Sequence, residues 1–227
     1  MANSNHTVGA STYERIKRDI VFGALEPGGK LKLDALRKRY DASVSTLREI
    51  LNRLASEDFV VAEEQRGFFV KPISKDDLVE IANLRILLEC SALETSIASG
   101  DADWEGNLVA AHHKLNRIEQ KMLGGDQSQK ELWKRYDWEF HQALISACNS
   151  QNLLAIHGTI FDKYLRYQML VLTYRGAPAV EDHVRMLDAA LNRDVETAVA
   201  VLKHHIHKGL EHTLAAMENS ELMEFQQ

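Results

Sequence analysis

Two cysteines are all that the sequence offers, and Cys90 and Cys148 stand far apart inside apolar helical patterns. That spacing excludes a disulfide-stapled scaffold and predicts two buried, reduced thiols. Prolines number three and aromatic residues make up 7% of the chain, so neither a proline-rich linker nor an aromatic-laden binding face is expected. No apolar run approaches the roughly 18 residues that span a bilayer. Positions 1–10 lack the charged-then-apolar layout of a secretory leader, so a cytoplasmic protein is expected. What the chain does have is an ordinary 45% of hydrophobic residues over 227 positions, enough to bury a sizeable core.

Charge is unevenly spread. The net value is −6, yet residues 1–74 carry 12 Lys and Arg against 10 Asp and Glu, while the remainder carries 15 against 23. His6 is the only histidine before position 112, and the other nine follow. A mildly basic first part and an acidic, histidine-rich second part predict two domains, 1–74 and 75–227.

In the first part Tyr13, Ile16, Ile20 and Val21 recur at helical spacing and the pattern stops near Gly23. Pro27-Gly28-Gly29 is a turn signal. A short helix follows, with Leu33 and Leu36 inward and Arg37-Lys38-Arg39 outward. After a break at Asp41-Ala42, Ser43 is placed to cap a third helix whose buried stripe is Leu47, Ile50, Leu51 and Leu54. Two strand-like runs, 59–62 and 68–70, flank a hairpin tip at 63–67. Three helices and a hairpin make a winged helix-turn-helix. In that layout Ser43, Ser45 and Thr46 suit phosphate contacts from a helix start. Arg48 is placed to reach a base edge or a phosphate, and Arg66 and Gly67 form the tip of the wing. On pattern alone these are equally solvated residues of an ordinary small helical domain.

Four blocks add a resemblance. Residues 13–20 (YERIKRDI), 25–28 (LEPG), 45–54 (STLREILNRL) and 65–70 (QRGFFV) resemble, in order and spacing, the DNA-binding domain of the GntR family of bacterial regulators. The resemblance implies binding to double-stranded operator DNA. The family commonly has an arginine just after the capping residue, where this chain has Val44. A base contact common in the family therefore lacks its side chain, and the expected operator departs from the family consensus.

Beyond Pro72 no strand is convincing. Ser74 with Asp77 is a capping pair. Helical patterns cover 75–99, 103–123, 127–148, 151–175, 179–192 and 195–218, which predicts an all-helical antiparallel bundle of six to seven helices. Asp137 and His141 share one helix face at i and i+4. His183 and His205 lie equally far from Asp194, so a helical hairpin turning there brings them face to face. Three imidazoles and a carboxylate form a nitrogen–oxygen donor set that suits Zn²⁺, Ni²⁺, Mn²⁺ or Fe²⁺. Each histidine taken alone is equally a hydrogen-bonded core or surface residue.

Here too the motifs resemble a family. Residues 137–144 (DWEFHQAL), 181–183 (EDH), 187–191 (LDAAL) and 202–206 (LKHHI) are similar to the effector domain of the FadR-type, or FCD, subgroup of the same family. The resemblance implies that Asp137, His141, His183 and His205 hold a divalent metal, zinc first, beside a small carboxylate. In 84–89 (LRILLE), Arg85 and Glu89 match a pattern whose arginine commonly faces the ligand cavity; Arg85 is equally placed as a surface ion-pair partner. Arg166, Tyr167 and, more weakly, His157 are further pocket candidates.

The combined expectation is a homodimeric transcriptional repressor, not an enzyme. A small organic acid would release it from a palindromic operator. The arrangement is similar to the branch that regulates short dicarboxylate and amino-acid catabolism, which implies a C4–C6 acid. Two rivals stand beside it. In one the metal itself is the signal; in the other a metalloenzyme acts on carboxylic acids, although no distinct general-base motif is present.

Overall fold

The computed structural model describes residues 8–171 and 174–219. The chain divides into two compact units, Met1–Lys75 and Asp76–Gln227. Each is treated by itself.

The first unit opens with α1 (Val8–Val21), α2 (Leu33–Tyr40) and α3 (Val44–Ser56). Their apolar stripes meet in one core: Ile16, Ile20, Leu47, Leu51 and Leu54 are fully buried, with Tyr13, Val21, Leu36 and Ile50 close behind. Asp41 ends α2 in the left-handed conformation (φ 51°), the sharp break expected there. Ser43 then caps α3, its Oγ accepting from the Thr46 backbone N–H at 3.1 Å. Replacing Ser43 with Ala removes that cap and is expected to lower the stability of this unit by about 1 kcal/mol. Urea unfolding followed by circular dichroism measures it.

The wing is β1 (Val60–Glu63) and β2 (Gly67–Val70), antiparallel, with Val60 opposite Val70 and Glu63 opposite Gly67. The predicted runs were offset by one residue at the turn. One pairing lay outside the sequence reading altogether. The stretch after Pro27 does more than turn, because it lies along β2 as a third strand-like segment. Lys30 bridges Phe69, Leu31 N–H donates to Phe68 O (2.8 Å), and Val70 N–H donates to Gly29 O (2.9 Å). Gly28, at φ 73°, gives the left-handed step that starts it.

The second unit contains α4 (Lys75–Ser99), α5 (Ala102–Leu123), a short 3₁₀ turn (Gln127–Gln129), α6 (Lys130–Ile145), α7 (Gln151–Val171), α8 (Ala177–Leu191) and α9 (Val195–Glu218). This is the mainly helical architecture expected. The sequence pattern extended the seventh helix to 175; the described helix ends at Val171, and residues 172–173 lie outside the described set. α5 packs on α6 and α8, and α9 on α7 and α8. α4 buries a broad stripe running from Leu78 through Ile81, Arg85, Glu89 and Ala92 to Ser96, which includes the charged pair Arg85 and Glu89. Cys90 and Cys148 are both buried free thiols. Among the described residues no helix is long and apolar enough to cross a membrane.

The α8–α9 turn is tight. Arg193 takes φ 57°, and Asp194 caps α9 by accepting from Thr197 N–H at 3.0 Å. The Arg193 side chain donates to Ile97 O (2.8 Å) and Gly100 O (2.9 Å) at the end of α4, and pairs with Glu105.

Candidate metal and effector site

The hairpin geometry brings two donors together and α6 supplies the other two. Asp137, His141, His183 and His205 each offer a ligand atom, and these atoms all lie within 4.8 Å of one another. The His183 and His205 ring centroids are 4.6 Å apart, and those of His141 and His205 5.5 Å. His183 is fully buried, His141 nearly so, and His205 is 9% exposed.

Each imidazole is held from behind by a carboxylate. His141 Nδ1 is 2.7 Å from Glu89 Oε2, His183 Nδ1 is 2.8 Å from Glu119 Oε1, and His205 Nδ1 is 3.3 Å from Asp182 Oδ2. This directs the three Nε2 atoms toward a common centre, the second-layer arrangement that orients histidines at metal sites. The Nε2 atoms of His141 and His183 have no hydrogen-bond partner although buried. His183 Nε2 stands 3.3 Å from Asp137 Oδ1, but without hydrogen-bonding geometry. Buried nitrogens aimed at one point and left unpaired are what a cation would satisfy.

The electrostatics agree with that use at Asp137, His141 and His205. Burial alone would raise the Asp137 carboxyl, but Lys134, His183 and His141 hold it well below the usual carboxylate range. Burial likewise works against Glu89, yet Arg85 and His141 hold it well below the usual range. Burial pushes His205 down to about 3, with Asp182 opposing and the neighbouring imidazoles adding to the fall. Burial also lowers His141, against the pull of Glu89. These two rings are therefore neutral near pH 7, the form that ligates. For His183 burial is outweighed by Asp137 and Glu119, which raise it to about 9.

Beside the four donors lies a cavity whose space open to water centres is about 30 Å³, tight enough to admit only a small ligand. Its wall includes the cations Arg85, Lys134 and Arg175 together with Asp137, His183 and His205. Arg85 is buried, as a cavity residue and not as a surface ion-pair partner. Its Nε donates to Glu89 Oε1 at 2.6 Å, and its guanidinium lies over Phe161 (4.3 Å) and Tyr164 (4.6 Å).

The structure does not bring Arg166 and Tyr167 to that wall. Both are buried on α7, and the Tyr167 hydroxyl donates to Asp77 Oδ2 at 2.6 Å on α4. The residues of α7 that line the cavity are Tyr164 and Gln168, one helical turn apart. Arg166, two positions from each, falls on the other side of the helix, and Tyr167 is turned to Asp77 instead. His157 stands behind the site, its Nε2 2.9 Å from Glu89 Oε1. Sequence reasoning missed Lys134, Glu119, Asp182 and Arg175. Only Lys134 left a signal, since it shares the helix face of Asp137 and His141 at i, i+3 and i+7.

In the first unit the expected DNA-facing residues gather at the start of α3 and the wing. Ser43 Oγ lies 2.8 Å from Ser45 Oγ and 2.9 Å from Thr46 Oγ1, so the three hydroxyls form one exposed cluster. Arg48 is exposed and makes no ion pair among the described residues. It lines a groove with Lys30, Lys32, Lys38 and Gly67. Arg66 is 70% exposed, paired with Glu63 at 2.5 Å and lying over Phe69.

A winged helix-turn-helix with an exposed arginine on its third helix, followed by a helical unit with a buried donor set, has the layout of a two-domain DNA-binding regulator. Comparison with known sequences makes the class specific. The profile of the bacterial regulatory proteins of the gntR family matches residues 9–70, and that of the FCD domain matches residues 80–208. The HTH-type transcriptional regulator BphR of Paraburkholderia xenovorans is 36% identical over 204 residues, covering 88% of this chain and 82% of its own. The HTH-type transcriptional repressor GlaR of Escherichia coli is 31% identical over 202 residues, covering 86% and 90%. Among solved structures, E. coli McbR/YncC shares the fold with a TM-score of 0.77 at 20% identity, covering 92% of this chain and 98% of its own. The chain belongs to the GntR family and is a DNA-binding transcriptional regulator of the GntR/FCD type.

Proposed function

We propose that the protein is a homodimeric repressor that leaves its operator when a small organic acid binds beside a divalent ion. The observation that carries this reading is the donor set. Asp137, His141, His183 and His205 converge within 4.8 Å, and three of them, Asp137, His183 and His205, line a cavity that also presents Arg85, Lys134 and Arg175. Those four residues would hold the ion, zinc being the first choice for three imidazoles and one carboxylate. The ion would supply a Lewis-acidic positive pole for one end of the acid. Arg85 contributes a guanidinium fixed by Glu89, which suits a carboxylate. Repression accords with the name of GlaR, the 31% identical relative. A dimer accords with operators built as half-sites about 34–36 Å apart. Occupancy of the cavity then biases the protein away from its operator-binding state.

An operator-shift titration tests this. Fragments from the neighbouring genome region are bound by metal-loaded protein, and short organic acids are added with and without a chelator. The expected result is a weakening of operator binding of about 5–150-fold, the usual range of coupling between two sites, and only with metal present. Release that tracks free metal at fixed acid would make the ion the signal. Steady turnover of an acid would favour an enzyme. If no acid shifts operator binding under metal-replete conditions, the reading fails.

A further inference from the structure

Behind His141 a chain of polar groups leads away from the four donors. Glu89, on α4, is fully buried, and three nitrogens reach its carboxylate. Arg85 Nε and His157 Nε2 both meet Oε1, at 2.6 and 2.9 Å, while His141 Nδ1 meets Oε2 at 2.7 Å. A carboxylate only accepts, so each of these nitrogens carries the hydrogen. His157, on α7, is itself fully buried, and its Nδ1 lies 2.7 Å from Gln142 Nε2 on α6. With Nε2–H directed to Glu89, that Nδ1 accepts from the Gln142 amide. Trp138 stacks on the His157 ring with centroids 5.7 Å apart and planes at 13°, and Phe161 closes on it at 5.7 Å. The ring is thus held in one orientation and one tautomer.

The division of the two Glu89 oxygens is the informative feature. A guanidinium beside a carboxylate tends to take both oxygens in a fork. Arg85 is near enough to compete, since its Nη2 lies 3.5 Å from His141 Nδ1. Were Glu89 to turn both oxygens to Arg85, His141 Nδ1 would face a guanidinium, which can only donate. The imidazole proton would then move to Nε2, and a protonated Nε2 does not ligate. His157 opposes that turn by gripping Oε1 from a second side, which leaves Oε2 to His141.

We infer that His157, itself fixed by Gln142, is a positioning residue for the ion: it holds Glu89 so that His141 keeps its proton on Nδ1 and presents a bare Nε2. The inference rests on the ion assigned above to Asp137, His141, His183 and His205, and extends that assignment two residues further from the centre.

The test uses the full chain and two probe ions. Zn²⁺ affinity is measured by competition with a chromophoric chelator, and Co²⁺ loading by the visible absorption bands that report its coordination geometry. His157→Phe keeps the aromatic stack and loses both nitrogens. It should weaken Zn²⁺ binding about tenfold, the lower end of the range for partners behind a ligating histidine, and alter the Co²⁺ bands. His157→Gln, whose side-chain NH₂ can stand where Nε2 stood, should recover most of the affinity and the wild-type bands. In a Glu89→Gln background His157→Phe should cost nothing further, because it acts through Glu89. Gln142→Leu should shift both readouts in the same direction by less, and it carries the test if His157→Phe fails to fold. A chain that takes up neither ion overturns this inference together with the metal reading. A loaded chain whose affinity and bands are unchanged in His157→Phe and Gln142→Leu overturns this inference alone. So does full addition of the losses from His157→Phe and Glu89→Gln.

Discussion

Replacing Asp137 and His141 together with Ala should abolish retention of a divalent ion through dialysis, from one ion per chain to none. Both donors lie on α6 one turn apart, so the pair removes half of the set while leaving the α8–α9 hairpin intact. The contrast is Glu119→Gln, which touches only the hydrogen bond behind His183; partners in that layer are worth about 10–100-fold in affinity. Losing two donors must exceed that. Thermal unfolding gives a second readout. An ion present at 100 times its dissociation constant stabilises the folded chain by about 2.7 kcal/mol. For a domain of this size that is roughly 5–11 °C in Tm, from about 2–4 °C per kcal/mol. The double variant should show none of it.

The effect depends on pH, with a sign fixed by His183. Its folded-state value of about 9 lies above the ordinary 6.5, so in the metal-free chain its proton contributes stability that is complete below 6.5 and lost as pH rises through 9. A cation has to displace that proton. Metal-dependent stabilisation should therefore grow between about pH 6.5 and 9, and loading near pH 7 should release a proton from this ring. Calorimetry in buffers of different ionisation enthalpy counts it.

The second large effect belongs to the first unit. Arg48→Ala should weaken operator binding by about 5–150-fold if the side chain reads a base, or lower the salt slope by about one if it meets a phosphate. Arg48 is free to do either, being exposed and without an ion-pair partner among the described residues. Arg66→Ala should cost less, because Arg66 already has Glu63 and the face of Phe69. The wild-type complex should lose affinity steeply with salt, about 10³–10⁵-fold between 50 and 200 mM if 6–10 phosphates are contacted. Fluorescence anisotropy over a salt series distinguishes these outcomes, and a complex indifferent to salt would sink the assignment of this face.

Local chemistry was readable in the sequence. Ser43 as a cap, Asp41 as a break and the equal distances of His183 and His205 from Asp194 all follow from spacing along one helix or one hairpin. What spacing does not carry is contact between elements distant in the chain. Glu119 lies 64 positions from His183 and Glu89 lies 52 from His141, and an acidic residue on a helix looks the same whether it faces solvent or a buried imidazole. On α7 the cavity is lined by Tyr164 and Gln168 and not by Arg166 or Tyr167, and spacing alone does not say which phase of a helix buried on several sides faces a cavity. The third segment of the wing was hidden because Pro27-Gly28-Gly29 announces a turn but not the strand pairing that follows it.

The α8–α9 turn acts as a ruler. Loops between helices ordinarily accept inserted or deleted residues, but this one sets the register of two histidines on opposite sides of it. One added residue anywhere between His183 and Arg193 would turn one part of the hairpin by about 100° and shift it about 1.5 Å along its axis. The two rings would no longer meet, and the clasp of Arg193 on Ile97 and Gly100 would be dislodged with them. The turn should thus be among the segments of this domain least tolerant of length change, although it lies at the surface.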